Sequence, residues 1–286
     1  MTSAAPTRRV ALVLGLSVAA VSTAAVLVRL VPTMHPVAIA LWRTALVAAM
    51  LSPTLLSRAP KPQGRDRLWT LLAGLCLALH FWAWFASLQH TTVMRSTVLV
   101  CLTPVWAGLI AWMRGRDRPS GRFWGGIAVA LAGVVGMSAG GGSGEASLLG
   151  DALALAGGVL AAIYLTIGRD VRQRAGIGPY GALICGACAL WLLGAAGVTG
   201  APLTPPSPAA WGVLLAMALG PQLVGHVGFN YAVRYVPAAV VGAAVLLEPV
   251  GATVLAIFIL DEWPTLTEAL GAGGIVLGVG LATRED

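Results

Sequence analysis

The sequence carries little charge for its length, and this scarcity excludes a soluble globular domain. Only 10% of its 286 residues are charged, whereas 58% are hydrophobic and the mean hydropathy is +0.85. Soluble domains carry charge on about a quarter of their residues. The chain is therefore predicted to be a membrane protein that has the lipid bilayer as a partner.

Other motifs that the sequence lacks argue against further classes of function. The sequence has no glycine-rich phosphate loop followed by lysine, so a nucleotide-driven step is not expected. Its net charge of +7 forms no basic stripe with interleaved aromatic residues, which argues against nucleic-acid binding. The cysteines lie in apolar segments and are interpreted as packing residues, so neither a metal site nor a cofactor is expected. They are Cys76, Cys101, Cys185 and Cys188.

Long apolar runs dominate the chain, and about 20 such residues are enough for a helix to cross a bilayer. The arginines lie mostly in alternate loops between these runs, which predicts that both termini are cytoplasmic. The first run, after Arg8 and Arg9, is then a spanning helix rather than a signal peptide. The ten predicted segments are 10–31, 37–56, 68–89, 95–113, 122–138, 149–167, 180–197, 210–232, 238–259 and 266–283.

The C-terminal half repeats the N-terminal half at an offset of 145 residues. The loop after the fourth segment is basic in the first copy, and its counterpart in the second copy is acidic. Since acidic loops can cross the membrane and basic loops stay in the cytoplasm, the two copies are predicted to be inverted, as in secondary transporters. The expected fold is all-α, with ten transmembrane helices in two inverted five-helix repeats, 1–138 and 149–286, joined by a Gly/Ser-rich linker, 139–148. The first-copy residues that coincide are Val100, Leu102, Pro104, Val105, Ala107, Ala111, Pro119, Gly126, Gly133 and Val134.

Glu248 is an acidic residue near the middle of the ninth segment, directly before Pro249. A charge in hydrocarbon costs at least about 2.5 to 3.5 kcal/mol, so it needs a partner or a function. We interpret Glu248 either as a titratable coupling site or as a structural acid paired with Arg43 or Arg29. Pro249 and Pro104 are predicted to kink their helices.

Polar side chains at helical spacing mark the third and eighth segments, which are repeat mates. We expect these faces, together with one tryptophan of the fourth segment, to line a shared cavity and bind substrate. For each histidine the alternative is a packing role with a satisfied ring. The expected binding residues are His80, Trp84, Trp106, Gln222, His226 and Asn230.

Small residues four apart occur in the fifth and tenth segments, at Gly126–Ala130 and Gly274–Gly278. This spacing allows two helices to approach closely. We interpret it as scaffold packing and not as part of a site.

Several motifs together are typical of one transporter family. They are Trp42-Arg43, Ser87-Leu88, Thr103-Pro104-Val105, Leu247-Glu248-Pro249-Val250, Asp261-Glu262-Trp263-Pro264 and the stretch from Gly271 to Gly278. Through them the chain resembles the EamA-type members of the drug/metabolite transporter superfamily. The resemblance implies a central cavity between two inverted repeats and export of amino acids or other small metabolites through the bacterial inner membrane. Asp117, amid arginines, departs from the glutamate that family members have before the proline of that loop.

The expected function is a secondary transporter, not an enzyme, that exports a small metabolite such as an amino acid by alternating access. An intramembrane hydrolase is the alternative, because Gly141-Gly142-Ser143-Gly144 resembles a nucleophile motif and His226 is a possible base. A flexible glycine linker would not hold an oxyanion hole rigid, which argues against this alternative. A passive channel or a carrier of phosphorylated solutes would need more cations in the cavity than Arg29 and Arg43. Substrate identity and oligomeric state are left open.

Overall fold

The computed structural model of the protein describes residues 4–90, 93–140, 147–260, 263 and 265–283. Over these ranges the secondary structure is helical, as the sequence predicts. The 3₁₀-helix Ser52–Leu56 extends α3, and the π-helix Ala218–His226 joins α10 to α11. The α-helices are α1 (Ala4–Ser22), α2 (Ala24–Arg29), α3 (Pro36–Leu51), α4 (Arg65–Ser87), α5 (Val93–Val100), α6 (Thr103–Arg114), α7 (Gly121–Gly140), α8 (Leu148–Arg172), α9 (Ile177–Thr199), α10 (Pro208–Met217), α11 (Val227–Ala232), α12 (Ala238–Val245), α13 (Glu248–Leu260) and α14 (Leu266–Thr283).

Six helical segments in the described ranges are long and apolar enough to cross a membrane. Shorter apolar helices lie at Gly121–Gly136, Ala238–Ala252 and Ala269–Thr283. The number of ten crossings and the inverted orientation of the repeats stay predictions. The six segments are Arg8–Val28, Pro36–Leu56, Arg65–Ser87, Leu148–Arg172, Ile177–Thr199 and Pro208–Ala232.

Two repeat-related helices are interrupted at equivalent positions. The first interruption lies between α5 and α6, directly before Thr103-Pro104, and the second lies between α12 and α13, directly before Glu248-Pro249. The offset of 145 residues superposes these two dipeptides. Because proline has no N–H to donate, it cannot continue the hydrogen-bond ladder of the preceding helix. The two helices are thus interrupted directly before the dipeptides in which kinks at Pro104 and Pro249 are expected.

The helices of the two repeats pack in pairs that a two-fold relation would interchange. Counterparts contact each other in the pairs α3 with α9 and α7 with α14, and α6 of the first broken helix contacts α12 of the second. In addition, α4 packs against α8, and α1 packs against the π-helix. The second of these contacts is equivalent to the first with the two repeats exchanged. This arrangement encloses a common centre between α1, α4, α8, the π-helix and the two broken helices.

The contact between α7 and α14 depends on glycine. A Cβ atom on Gly126 would lie 2.4 Å from the backbone nitrogen of Ala282, and one on Gly278 would lie 2.3 Å from that of Ala130. Real side chains do not fit at such distances, so the two backbones touch directly. The close approach predicted from the small-residue spacing is confirmed, and the two motifs prove to be each other's partners.

Candidate functional site

A small cavity lies at the centre between the two repeats. Its volume is about 40 Å³, which is room for roughly three water molecules. Aliphatic and aromatic side chains make up most of the wall, and polar groups of both charges complete it. The lining residues are Val21, Ala24, Arg43, His80, Trp84, Val100, Thr103, Ala161, Tyr164, Leu165, His226, Phe229, Val245 and Glu248.

The repeat register governs how these residues reach the cavity. Thr103 begins the helix after the first break, and Glu248 begins the helix after the second, so the two breaks bring equivalent positions to the centre. Trp84 and Phe229 are also 145 residues apart and face each other's repeat across the same space. The two repeats thus contribute equivalent positions to the cavity, but the residue types at these positions differ.

Arg43 on α3 supplies the positive charge of the cavity. Its side chain is fully buried, and its guanidinium lies 4.3 Å from the ring centre of Phe81, a favourable cation–π distance. The Nε atom donates a 3.0 Å hydrogen bond to Oε1 of Gln222. The two terminal nitrogens, Nη1 and Nη2, are buried without a hydrogen-bond partner in the described part of the chain. The Nη1 and Nη2 groups of Arg43 can therefore donate hydrogen bonds to a ligand.

Glu248 supplies the negative charge of the same cavity and is only 7% exposed. Its backbone carbonyl accepts a 3.3 Å hydrogen bond from the Ser22 hydroxyl. Among the ion pairs of the described residues there is none between its carboxylate and Arg43. Pairing with Arg43, one interpretation of Glu248 from the sequence, is thus not formed here, and the side chain of Arg29 lies outside what the structure describes.

The two histidines stand on opposite sides of the cavity, with ring centres 6.1 Å apart. The Nδ1 atom of His80 lies 2.9 Å from the carbonyl oxygen of Gly157, which can only accept, so Nδ1 carries the proton. The Nδ1 atom of His226 shares a 3.0 Å hydrogen bond with the Tyr164 hydroxyl. One ring nitrogen of each histidine is therefore occupied by the protein, and Nε2 is the remaining polar atom.

Of the residues expected to bind substrate, the structure brings His80, Trp84 and His226 into the cavity lining. Trp106, Gln222 and Asn230 are not part of that lining. The stripe runs from Gln222 in the π-helix to Asn230 in α11, and only His226 between them belongs to the lining. Gln222 instead supports Arg43, as described above. Asn230 lies farther along, where its backbone carbonyl accepts a 3.0 Å hydrogen bond from Nε of Arg172.

Sequence reasoning missed three polar or aromatic members of the lining. Thr103 and Phe229 carried a usable signal, because they occupy the repeat positions of Glu248 and Trp84. Tyr164 carried none, since a single tyrosine in a mostly apolar segment is no more distinctive than the nearby Thr166. In the described ranges no group of His, Cys, Asp or Glu side chains fits a metal ion, and the four cysteines are free thiols.

Ion pairs join the two repeats at one end of the molecule. Nε and Nη2 of Arg169 donate to the two carboxylate oxygens of Asp117 at 2.6 and 3.0 Å, which lowers the pKa of Asp117. Arg174 pairs with Asp66, and Arg114 pairs with Asp170. Asp117, which departs from the family pattern, therefore has a partner in the second repeat. The Ser143 motif and the acidic pair Asp261 and Glu262 lie outside the described residues.

Comparison with known proteins agrees with this two-repeat arrangement. A sequence profile of the EamA-like transporter family matches residues 8–139 and again residues 148–284. A protein of known crystal structure superposes with a TM-score of 0.77 over 96% of each chain, at 18% sequence identity. At that identity the likeness shows the fold alone. A search of curated proteins finds no match.

Proposed function

Because the chain belongs to the EamA-like transporter family, we propose that it exports a small zwitterionic metabolite of the α-amino acid class. The family is one of membrane transporters, and the apolar helices make this chain a multi-pass membrane protein. In this proposal it lies in the inner membrane of a bacterium with both termini in the cytoplasm, as the arginine distribution favours.

One observation carries the substrate class: Arg43 and Glu248 line the same cavity without an ion pair between them. Two opposite charges in a low-dielectric site attract strongly, so leaving them apart is costly unless a ligand completes both. A solute with a carboxylate for Nη1 and Nη2 of Arg43 and an ammonium group for Glu248 satisfies both at once. An α-amino acid has these two groups a few ångströms apart.

The aromatic residues of the lining form the surface against which the side chain of the solute packs. Trp84 stacks near His80 with ring centres 6.1 Å apart, and the Trp84 indole N–H is buried with no hydrogen-bond partner among the described residues. An apolar or aromatic side chain packs against such rings, and a polar one accepts from the indole N–H. His80 and His226 contribute Nε2 atoms for further hydrogen bonds, while Thr103 is occupied by the Val100 carbonyl at 2.9 Å.

The size of the cavity supports transport by alternating access rather than a permanent pore. With a volume of about 40 Å³ the cavity has no room for an amino acid, so the lining helices must separate before one enters. The breaks before Thr103 and Glu248 are where the backbone hydrogen-bond ladder is already interrupted. Rocking of one repeat against the other about these points opens the cavity to one side at a time.

Binding to the purified protein tests this proposal with three probes of one shape. Phenylalanine carries both charges, phenethylamine only the ammonium group, and 3-phenylpropionate only the carboxylate. Wild-type protein is expected to bind phenylalanine most tightly. Arg43→Gln should abolish the advantage over phenethylamine, and Glu248→Gln should abolish the advantage over 3-phenylpropionate.

Arg58→Gln is the matched control, because Arg58 is an exposed arginine outside the cavity lining. It should leave all three affinities unchanged. A screen of aliphatic and polar amino acids in the same assay, followed by efflux from loaded cells, then identifies the substrate. Equal affinity of the wild-type protein for the three probes would contradict the zwitterion proposal.

A further inference from the structure

A second, larger cavity lies apart from the central one, at the end of the molecule where the inter-repeat ion pairs are found. Its volume is about 390 Å³, roughly ten times that of the central cavity. Its wall comes from the start of α4, the loop after α6 and the end of α8. The lining residues are Arg65, Asp66, Trp69, Arg114, Arg116, Ile167, Asp170, Val171, Gln173 and Arg174.

The charges around this cavity do not cancel. Arg174 donates to both carboxylate oxygens of Asp66 at 2.7 and 2.6 Å, and Arg114 pairs with Asp170. Each acidic residue of the lining therefore already has its own arginine. Arg65 and Arg116 remain, and neither has an ion-pair partner among the residues that the structure describes. The cavity thus presents two excess positive charges.

Trp69 adds a second recognition element. Its residue is 37% exposed, and the Arg65 guanidinium carbon lies 5.8 Å from the centre of its ring. An amphipathic indole at the end of an apolar helix is typical of the membrane–water interface. The cavity therefore lies where the headgroups of the cytoplasmic leaflet are expected, given the orientation proposed above.

From this geometry we propose that the cavity binds a phosphate ester through Arg65 and Arg116. Guanidinium groups match phosphate oxygens with paired N–H donors, and a ligand of charge −1 or −2 offsets the two unpaired arginines. Anionic phospholipid headgroups attract basic groups on the cytoplasmic side of membrane proteins. A soluble phosphate ester such as glycerol 3-phosphate has the same recognition chemistry.

Native mass spectrometry of the detergent-solubilised protein tests the proposal with phosphatidylglycerol, phosphatidylcholine and glycerol 3-phosphate as probes. Wild-type protein is expected to bind an anionic probe more tightly than phosphatidylcholine. The double variant Arg65→Gln, Arg116→Gln should lose about 25-fold in that affinity, at about fivefold for each arginine. Preference for phosphatidylglycerol identifies a lipid site, and preference for glycerol 3-phosphate identifies a soluble ligand.

The control is Arg58→Gln, Arg118→Gln, which removes the same net charge from arginines outside the cavity lining. It should keep the wild-type affinity. Equal losses in the two double variants would overturn the proposal, because nonspecific surface charge would then explain the binding, and so would equal affinity of wild type for all three probes. Arg43→Gln should leave this binding intact, so failure of the proposed central site and failure of this one can be told apart. The four arginines exchanged in the two double variants are exposed, so folding of these variants should persist, as gel filtration would verify.

Discussion

At the residue scale, the central cavity depends on how Arg43 is held. Burying a guanidinium costs free energy when two of its nitrogens have no hydrogen-bond partner in the part of the chain that the structure describes. The Phe81 ring and the Gln222 amide offset part of that cost. Gln222 in turn donates from Nε2 to the sulfur of Cys185 at 3.5 Å. Gln222 therefore positions Arg43 for a ligand rather than touching the ligand itself.

Gln222→Leu should weaken binding of the zwitterionic substrate about tenfold or more, because it removes a hydrogen bond to a charged group, of the order of 1.5 to 3 kcal/mol. Titration calorimetry with the substrate found in the screen checks this loss. Gln173→Leu is the control, since this exposed glutamine only donates to the Arg234 carbonyl at 3.0 Å. Similar affinities for the two variants would mean that Gln222 does not orient Arg43.

Glu248→Gln separates a functional acid from a structural one. No ion pair with Arg43 is lost, so the variant should express and unfold within about 1 kcal/mol of wild type. Transport should be weaker, because the contact to the substrate's ammonium group is lost, and the remaining transport should be independent of pH if Glu248 carries the coupling proton. Proteoliposome uptake from pH 5.5 to 8.5 and thermal unfolding measure the two effects. Collapse of expression, rescued by Arg43→Gln in the same chain, would instead show that Glu248 neutralises Arg43. A well-expressed variant with wild-type pH dependence would exclude both roles.

At the element scale, the contact between α7 and α14 is a rigid seam. Gly126→Ala or Gly278→Ala places a methyl group within 2.4 Å of backbone atoms of the facing helix, so the helices must move apart. Overpacking of this kind costs about 1 to 3 kcal/mol. Both variants should therefore show a lower Tm in detergent.

Gly125→Ala and Gly280→Ala are the matched controls on the same helices, because a Cβ atom there meets nothing within 4 Å. They should leave the Tm unchanged or raise it, since alanine favours a helix by up to about 1 kcal/mol over glycine. If all four variants behave alike, helix propensity and not the helix contact decides stability at this seam.

The elements also show how far sequence reasoning reaches. The repeat was predictable from the residues that coincide at the 145-residue offset, and a close helix approach was predictable from the small residues, because glycine leaves room for a facing backbone. That the two small-residue motifs contact each other was not predicted. The π-helix was not predicted, although Pro221 lies within it. Hydropathy does not distinguish a π-helix from an α-helix, because the two differ in the register of their backbone hydrogen bonds and not in how apolar their residues are.

Site membership was harder to predict than fold. A polar stripe shows which face of a helix avoids lipid, but not where along that face the cavity begins and ends. Gln222, His226 and Asn230 share a stripe, and only His226 reaches the cavity lining. Which of the polar residues reach the cavity depends on distances between the two repeats, and no local sequence pattern determines these distances.

At the scale of the whole molecule, the ion pairs that the described residues form between the repeats lie at one end. Asp66 and Asp117 belong to the first repeat, and their partners Arg174 and Arg169 lie at or just after the end of α8. Arg169 also donates through Nη1 to the carbonyls of Val233 and Val236 at 2.8 and 3.0 Å. Exposed pairs contribute only about 0.2 to 1 kcal/mol each to stability. The same free energy is a large part of the difference between two transport states, because such states differ by only a few kcal/mol. The ion pairs can therefore shift the equilibrium between the states.

Asp66→Asn combined with Asp117→Asn should therefore make this end open more often, by roughly tenfold if the two pairs together contribute about 1.4 kcal/mol. The reporter is Thr166→Cys in a background without the four native cysteines, because Thr166 lines a narrow space beside Asp117 and Arg169. An impermeant maleimide should label it faster from the cytoplasmic side in the double variant, and in wild type at high salt, which screens exposed pairs. Asp66→Glu with Asp117→Glu keeps both charges and should label at the low-salt wild-type rate. If neither neutralisation nor salt changes the labelling rate, other contacts keep this end closed and the ion pairs serve only to align the repeats.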